Sequence, residues 1–355
     1  MSESSPTWLF TSRHDFEDVL MAQLAACAGE LPVAVEMLRS GLVSVAGIPA
    51  GQPPLQWDPT YALQVLPEAR AVKGTSVNDL ARAVVDLIAD PLDGVDGPWD
   101  LHVFVPAQLR GNPKPPMARR RDLLEAAIGE RLQGIRRRAW RQRIAGCGLP
   151  VRLVQVLLYD EETCWVSCAP CVRTEVDGTW PVGIPAGLAV IDNDDGAPAS
   201  SYRKLEEALA CMQRWPDYGE RAVDLGACPG GWTRVLRRHG ARVDAVDRQP
   251  LVQHLMRDRQ VRFHKADAFA WRPERPVDWL VSDIVAYPDR ILDLIDVWAG
   301  ERLATRLVVQ MKFRGDPDHA KIADGLARLR AAGYGARARH FFNDKNEITF
   351  MAVRA

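Results

Sequence analysis

The second half of the chain predicts an α/β domain, a doubly wound and mostly parallel sheet closed by a terminal antiparallel hairpin. Three observations predict it. From Tyr202 onward, short apolar strands alternate with helical stretches. The first strand, Ala222 to Gly226, runs into a glycine-rich turn and then a helix, Trp232 to His239. The last two strands, Ala336 to Phe342 and Glu347 to Val353, are separated only by the polar turn Asn343 to Asn346, which is hairpin spacing.

Taken in order, the front half is less regular. Trp8 to Thr11 and Gly41 to Gly47 read as strands, with a helix between them over Phe16 to Ala28 carrying Phe16, Val19, Leu20 and Leu24 on one face. Ile48 to Pro59 holds four prolines and reads as loop. Residues 1–71 thus predict a small α+β unit of ferredoxin-like type. Val77 to Ala89 spaces Leu80, Val84, Leu87 and Ile88 as one apolar helical face, and Pro91 to Pro98 is expected to break that helix. Trp99 to Pro106 alternates like a strand. Arg119 to Arg143 predicts one long helix with Leu123, Ile128, Leu132 and Ile135 inward. Val151 to Tyr159 and Thr163 to Ala169 read as a strand pair. In this layout residues 72–190 resemble a THUMP-type RNA-binding module. Residues 191–201, rich in Asp, Asn, Gly, Pro and Ser, read as a linker, and 202–355 as the sheet domain. Within it a lead-in helix, Lys204 to Met212, comes first. Strands follow at 222–226, 242–247, 261–265, 279–283 and 306–312, with helices at 288–299 and 317–332 between the later ones.

With 355 residues there is room for two or three domains. No apolar run reaches membrane-spanning length, and Met1 to Thr7 lacks the basic and apolar parts of a signal peptide. Seven scattered cysteines make no disulfide framework, so a reduced, cytoplasmic protein is expected. Cys164, Cys168 and Cys171 lack a fourth ligand at finger-like spacing; packing explains them better than zinc. The formal net charge is −1, but between Arg110 and Arg143 eleven Lys or Arg face three acids. Arg110, Arg119, Arg120, Arg121, Arg136, Arg137, Arg138, Arg141 and Arg143 are the candidate RNA-contacting face. A solvated helix with no partner is the competing account. A monomer is expected.

The turn Asp224-Leu225-Gly226-Ala227-Cys228-Pro229-Gly230-Gly231-Trp232 is neither G-x-G-x-x-G nor a P-loop, which argues against a phosphate cradle. Its glycines let the backbone approach a ligand closely. The string resembles the S-adenosylmethionine turn of class I methyltransferases, and its Pro-Gly-Gly-Trp form is typical of the FtsJ-like RNA ribose 2′-O-methyltransferases. That resemblance implies S-adenosyl-L-methionine held by Asp224, Gly226, Cys228, Pro229, Gly230, Gly231, Trp232, Asp247, Asp267 and Asp283. Asp247, ending the second strand about twenty residues on, would take the ribose hydroxyls. Asp267 would touch the adenine amino group or cap a helix. Gly231 and Trp232 would lie near the methionine end, with Asp224 organising the turn and the methionyl ammonium.

Lys204, Asp283, Lys312 and Glu347 all fall on the carboxyl-end rim of this topology. Lys-Asp-Lys-Glu in that order matches the catalytic tetrad of the FtsJ-like enzymes. A ribose 2′-hydroxyl must lose its proton as it attacks a sulfonium methyl, and Lys312 is the expected base. Lys204 beside it favours the neutral amine, while Asp283 and Glu347 oppose that and align the group. No metal is required. The absent Asn/Asp-Pro-Pro-aromatic string after the fourth strand argues against methylation of a base amino group. Over Ser201 to Arg354, with Ala199 to Ala208, Val223 to Thr233 and Asn343 to Thr349 as the matching strings, the chain resembles the bacterial 23S rRNA cytidine 2′-O-methyltransferase (RlmM) family. It departs at Ile284 to Pro288, where that family has a Glu-Lys pair. Transfer to another RNA such as tRNA, a small-molecule O-methyltransferase, and an RNA-binding or ribosome-assembly protein without turnover stay open as alternatives.

Overall fold

The computed structural model describes residues 7–49, 51–105, 115–144 and 149–355. It divides into two compact units, one formed by the chain up to Thr174 plus Gly178–Leu188, the other by Glu175–Asp177 plus Ala189–Ala355.

The first unit begins with β1 (Thr7–Thr11), α1 (Glu17–Ala28), β2 (Ala34–Arg39), β3 (Leu42–Ala46) and β4 (Gln64–Lys73). It continues with α2 (Val77–Asp93), β5 (Trp99–Phe104), α3 (Pro115–Ile135), α4 (Arg137–Arg141), β6 (Arg152–Leu158) and β7 (Thr163–Pro170), and ends in the ribbon β8 (Val172–Arg173) and β9 (Thr179–Trp180). Among the described residues seven strands make one sheet, in the order β2-β3-β1-β4-β7-β6-β5. Position 71 falls inside β4, so one sheet spans both of the expected front segments.

β4 escapes a sequence reading because Pro67 and Glu68 interrupt it, and proline is normally confined to strand edges and bulges. Here a bulge accommodates it. The β1–β4 register shifts between Thr7 and Leu9, and Glu68 takes φ +50°. β2, all exposed or half-buried, places its apolar residues Val35, Met37 and Leu38 on both faces and so lacks a period-two signal. α2 starts at Ser76, whose hydroxyl accepts from the Asp79 amide at 3.1 Å. It runs through Pro91 to Asp93 although the proline forfeits the bond to the Leu87 carbonyl, and Leu92 beyond it is buried in the core.

The expected long basic helix is two helices. Arg136 leaves helical geometry (φ −135°, ψ 55°), and its guanidinium is held by Asp90 at 3.5 Å and Asp93 at 2.7 Å on α2. The chain turns back so that Trp140 lies over Gly129, where a Cβ would be only 3.0 Å from the ring. The inward face is also different. Leu124, Ile128 and Leu132 are buried, at the i, i+4, i+8 spacing of a helix ridge, whereas Leu123 and Ile135 are more than half exposed.

The second unit comprises α5 (Tyr202–Met212), β10 (Arg221–Leu225), α6 (Gly231–Arg238), β11 (Arg242–Asp247), α7 (Gln253–Met256), β12 (Val261–Lys265) and β13 (Val277–Ser282). α8 (Pro288–Gly300), β14 (Ala304–Lys312), α9 (His319–Ala331), β15 (Tyr334–Arg339) and β16 (Glu347–Arg354) complete it. The strand order is β12-β11-β10-β13-β14-β16-β15. β10 to β14 are parallel, and β16 is antiparallel to both β14 and β15, which is the expected sheet with its closing hairpin. Ala222 to Leu225 are buried on both faces, as a central parallel strand requires. The chain winds outward from β10 to β12 and then crosses back to β13. The switch point therefore lies between the ends of β10 and β13, where open α/β sheets bind ligands. The segment 191–201, expected as a linker, is packed: Asp194 takes a two-pronged contact from Arg234 on α6 at 2.6 and 2.8 Å. Among the described residues no helix is long and apolar enough to cross a membrane.

The corrected helix face has a direct test. Leu124→Ala, at a fully buried position, should destabilise the protein by about 2–4 kcal/mol, and Leu123→Ala by less than about 0.5 kcal/mol. Urea unfolding followed by tryptophan fluorescence measures both, and the reverse ranking would restore the first assignment.

Candidate active site

The glycine turn leaves β10 at Gly226, whose φ of +75° lies in the left-handed region. A Cβ there would meet Ile284 Cγ1 at 2.6 Å, so the missing side chain lets the turn lie against the residue that follows Asp283. Ser282 fixes the same approach from the other strand, its hydroxyl donating to Leu225 O at 3.2 Å. Gly230, at φ +119°, opens α6, and a Cβ on it would collide with Leu255.

Asp224 lies beneath the turn, 1% exposed. It accepts from Thr233 Oγ1 at 2.6 Å, tying the first turn of α6 to the strand end. Burial pushes its carboxyl up to about 7, with Asp283 and Asp247 adding to the effect. This is the turn-organising role; no cation partner of Asp224 is seen among the described residues. Asp247 ends β11. Its carboxylate accepts from the Cys228 amide at 3.0 Å and the Gln249 amide at 2.8 Å, bracing the turn and leaving further lone pairs on both oxygens. Burial beside Asp247 raises the Cys228 thiol, and Pro229 follows it through a cis peptide. Asp267 accepts from the Phe269 amide at 2.9 Å and from Arg248 at 2.5 Å, and these bonds hold its carboxyl below the usual range. That is the geometry of a capped turn. Trp232 is buried, and its indole N–H donates to Ser201 O at 2.8 Å. It thereby anchors the start of α5, while Gly231 packs close to Ser201 Oγ and Ala199.

The four rim residues converge. Lys204, in the first turn of α5, bonds Glu347 Oε1, donates to Gln310 Oε1 at 3.1 Å and lies 3.7 Å from Asp283 Oδ1. Lys312 bonds Asp283 Oδ1, donates to the Asp283 carbonyl at 2.6 Å and lies 3.8 Å from Glu347 Oε2. Lys312 and Glu347 are direct cross-strand partners in the β14–β16 ladder. Glu347 is 5% exposed at its side chain and the other three between 13% and 20%, so the cluster is partly sheltered yet reachable.

Sequence reasoning missed the support beneath it. Gln310 is fully buried two residues before Lys312 on the same face of β14. Its amide donates to Asp344 Oδ1 at 2.8 Å and Thr349 Oγ1 at 3.2 Å, which turns its oxygen toward Lys204. Burial raises the Asp344 carboxyl well above the usual range. A glutamine in an otherwise apolar strand, at period two from Lys312, was the available signal.

The FtsJ-like methyltransferase family model matches residues 199–297. The ribosomal RNA large subunit methyltransferase M of Halorhodospira halophila is 32% identical over 353 residues, covering 98% of this chain and 96% of that protein. The chain belongs to this family. The protein of the same name from Azotobacter vinelandii is 40% identical over 188 residues, or 49% of this chain and 52% of that one. A solved Burkholderia thailandensis 1,6-didemethyltoxoflavin-N1-methyltransferase with S-adenosylhomocysteine aligns with 16% identity and a TM-score of 0.32, over 47% of this chain and 95% of its own. Membership makes the chain an S-adenosylmethionine-dependent methyltransferase. The residues at the switch point fit that cofactor. The glycines let the turn pack tightly on Ile284 and Leu255, and the Asp247 carboxylate keeps acceptor capacity at the end of the neighbouring strand.

Asp224 gives a pH signature. Its native value lies above the ordinary carboxylate value, so the protonated form contributes stability that is present below about pH 4 and lost as the pH rises to about 7. The stability of the wild type relative to Asp224→Asn should fall by on the order of 1–4 kcal/mol across that window. Urea titrations at both ends check this; a constant difference would show that Asp224 is ionised throughout.

Proposed function

We propose that the chain methylates a ribose 2′-hydroxyl of large-subunit rRNA, on a cytidine of 23S rRNA. The observation that carries this reading is the convergence of Lys312, Asp283, Lys204 and Glu347 at the strand ends beside the glycine turn. The family to which the chain belongs names ribosomal RNA as its substrate.

Bound S-adenosylmethionine supplies an electrophilic sulfonium methyl. In this reading Asp247, Asp267, Asp283 and the backbone of Gly226 to Trp232 hold it. The protein's remaining task is to orient and deprotonate a weak nucleophile. As a neutral amine, Lys312 keeps two N–H bonds, to the carbonyl and carboxylate of Asp283, gives up its longer contact to the Ile284 carbonyl at 3.4 Å, and presents its lone pair to the 2′-hydroxyl. The proton it receives is then stabilised by Asp283 and Glu347. Lys204 neutralises Glu347 and is itself held by Gln310, so the carboxylate pair does not simply bind Lys312 more tightly. Positioning of the hydroxyl over this cluster supplies much of the rate.

For RNA, the candidate basic face separates into two groups. Arg136 is tied to Asp90 and Asp93, Arg143 to Asp100 and Glu125, and Arg121 to Asp122. Arg120 is half-buried. Arg119, Arg137, Arg138 and Arg141 are exposed, and no ion pair of theirs is seen among the described residues. These four are the proposed phosphate contacts; Arg110 lies outside the described residues.

The deciding experiment is transfer of labelled methyl from S-adenosylmethionine to RNA of a strain lacking this gene, with nuclease-resistant dinucleotides mapped afterwards. The expected product is a 2′-O-methylcytidine in 23S rRNA. A mark in tRNA would reassign the substrate, and no transfer to any RNA would overturn the reading. Lys312→Ala should lower the rate at least about 100-fold with cofactor affinity within about a factor of two; retained turnover would remove it as the base.

Reversing Arg137, Arg138 and Arg141 to glutamate should weaken RNA binding at least tenfold and flatten the salt dependence by about two to three logarithmic units per decade. Cofactor affinity should not change. Fluorescence anisotropy over a salt series measures it, and unchanged RNA affinity would return this stretch to a solvated helix.

A further inference from the structure

The first unit contains a cavity of about 410 Å³, within the range of small-ligand pockets. It lies where the ladder between β4 and β7 ends. The two strands pair from Arg70↔Val166 to Lys73↔Thr163. Before Arg70 comes the irregular stretch at Pro67 and Glu68, where Ser167 Oγ donates to Pro67 O at 2.5 Å and keeps β4 beside β7. Bulges of this kind re-aim side chains, and a glutamate at φ +50° is an uncommon backbone state that the surrounding fold must hold in place.

The lining has a definite chemistry. Trp8 and Trp180, both buried, form an aromatic floor, their rings 5.7 Å apart. Arg70 and Arg152, from β4 and β6, line the cavity together with Glu68; Arg70 and Glu68 are exposed at its mouth and Arg152 is half-buried. Neither arginine has a carboxylate partner among the described residues. The bond seen for Arg152 is to the Cys168 carbonyl, at 3.1 Å. Two unneutralised guanidiniums call for an anion, and the fork of guanidinium donors suits phosphate. A carboxylate in the same cavity disfavours a bare anion. It suits a ligand that also presents N–H donors, as the amino edge of a nucleobase does.

The surroundings point to a polymer. Pro91 of α2 lines the cavity. Its neighbours Asp90 and Asp93 hold Arg136, the residue next to exposed Arg137 and Arg138. The cavity and the basic cluster therefore share the last turn of α2. Engaging both requires one phosphodiester chain to span the two, with the cluster on its backbone and the cavity on one nucleotide.

We propose that this cavity holds one unpaired nucleotide of the RNA substrate, its phosphate on Arg70 and Arg152 and its base edge on Glu68. The inference rests on the rRNA-methyltransferase reading but assigns a separate site in the first unit. The test uses the full-length protein and a labelled ten-nucleotide single-stranded RNA of mixed sequence. The Arg70→Ala, Arg152→Ala double variant should bind this RNA at least tenfold more weakly. Its salt slope should fall by about one per arginine, and its affinity for S-adenosylmethionine should be unchanged. Glu68→Gln, which retains a hydrogen-bonding amide, should cost less than Glu68→Ala. Circular dichroism confirms that each variant is folded. Unchanged RNA affinity in the double variant overturns the proposal. So does failure of the wild type to bind the oligomer, or displacement of the RNA by poly-glutamate at equal charge concentration, which would assign the cavity to an acidic protein segment. Methyl transfer to 23S rRNA by the wild type, measured in parallel, reports on the catalytic reading independently of all three outcomes.

Discussion

Two ammonium groups and two carboxylates share the rim of the second sheet, and none of the four can be sheltered alone. A partly buried charge without a partner costs several kcal/mol. Glu347, almost fully buried, satisfies this by giving one oxygen to Lys204 and facing the other toward Lys312. The arrangement depends on the register of β14 against β16, which sets Lys312 opposite Glu347. A slip of one residue would turn Glu347 to the opposite face of the sheet and strand both lysines. The closing hairpin is therefore part of the site as much as of the fold. The reversed direction of β16 brings the start of that strand to the end of β14, where an acid is needed.

The same rim is braced from three further directions. Ser282 and Gly226 bring the ends of β10 and β13 together, so the glycine turn and Asp283 share one wall. Trp232 and Asp194 fasten the segment ahead of α5 onto α6 and thereby fix the helix that delivers Lys204. Gln310, held by Asp344 and Thr349, presents its oxygen and not its amide to Lys204. Each is a polar bond in a mostly apolar setting, and such networks specify one arrangement when every member is satisfied.

Much of the second unit was legible in advance, because its strands are short apolar runs between turn residues and its helices are amphipathic. β11 and β12 begin and end where the pattern places them. The first unit was harder to read. Pro67 and Glu68 hide β4, and β2, with Val35, Met37 and Leu38 falling on both faces, carries no clean period-two signal. Leu123 and Leu124 are adjacent, and composition cannot say which of them faces inward; Trp140 folding back over Gly129 decides it. Arg136 and Arg143 read as phosphate ligands in a charge count, yet they close ion pairs within their own unit.

The sequence by itself determined the chemistry that could occur here. The glycine turn, the acids ending two strands, and two lysines and a glutamate at strand and helix termini are local features, set by residue type and by periodicity along a few residues. Tertiary structure alone decided which of those groups meet, which arginines stay free, and that Trp232 anchors a helix. Those outcomes depend on contacts between residues far apart in the chain, where strand register, a bulge or the packing of one ring overrides what any short stretch prefers.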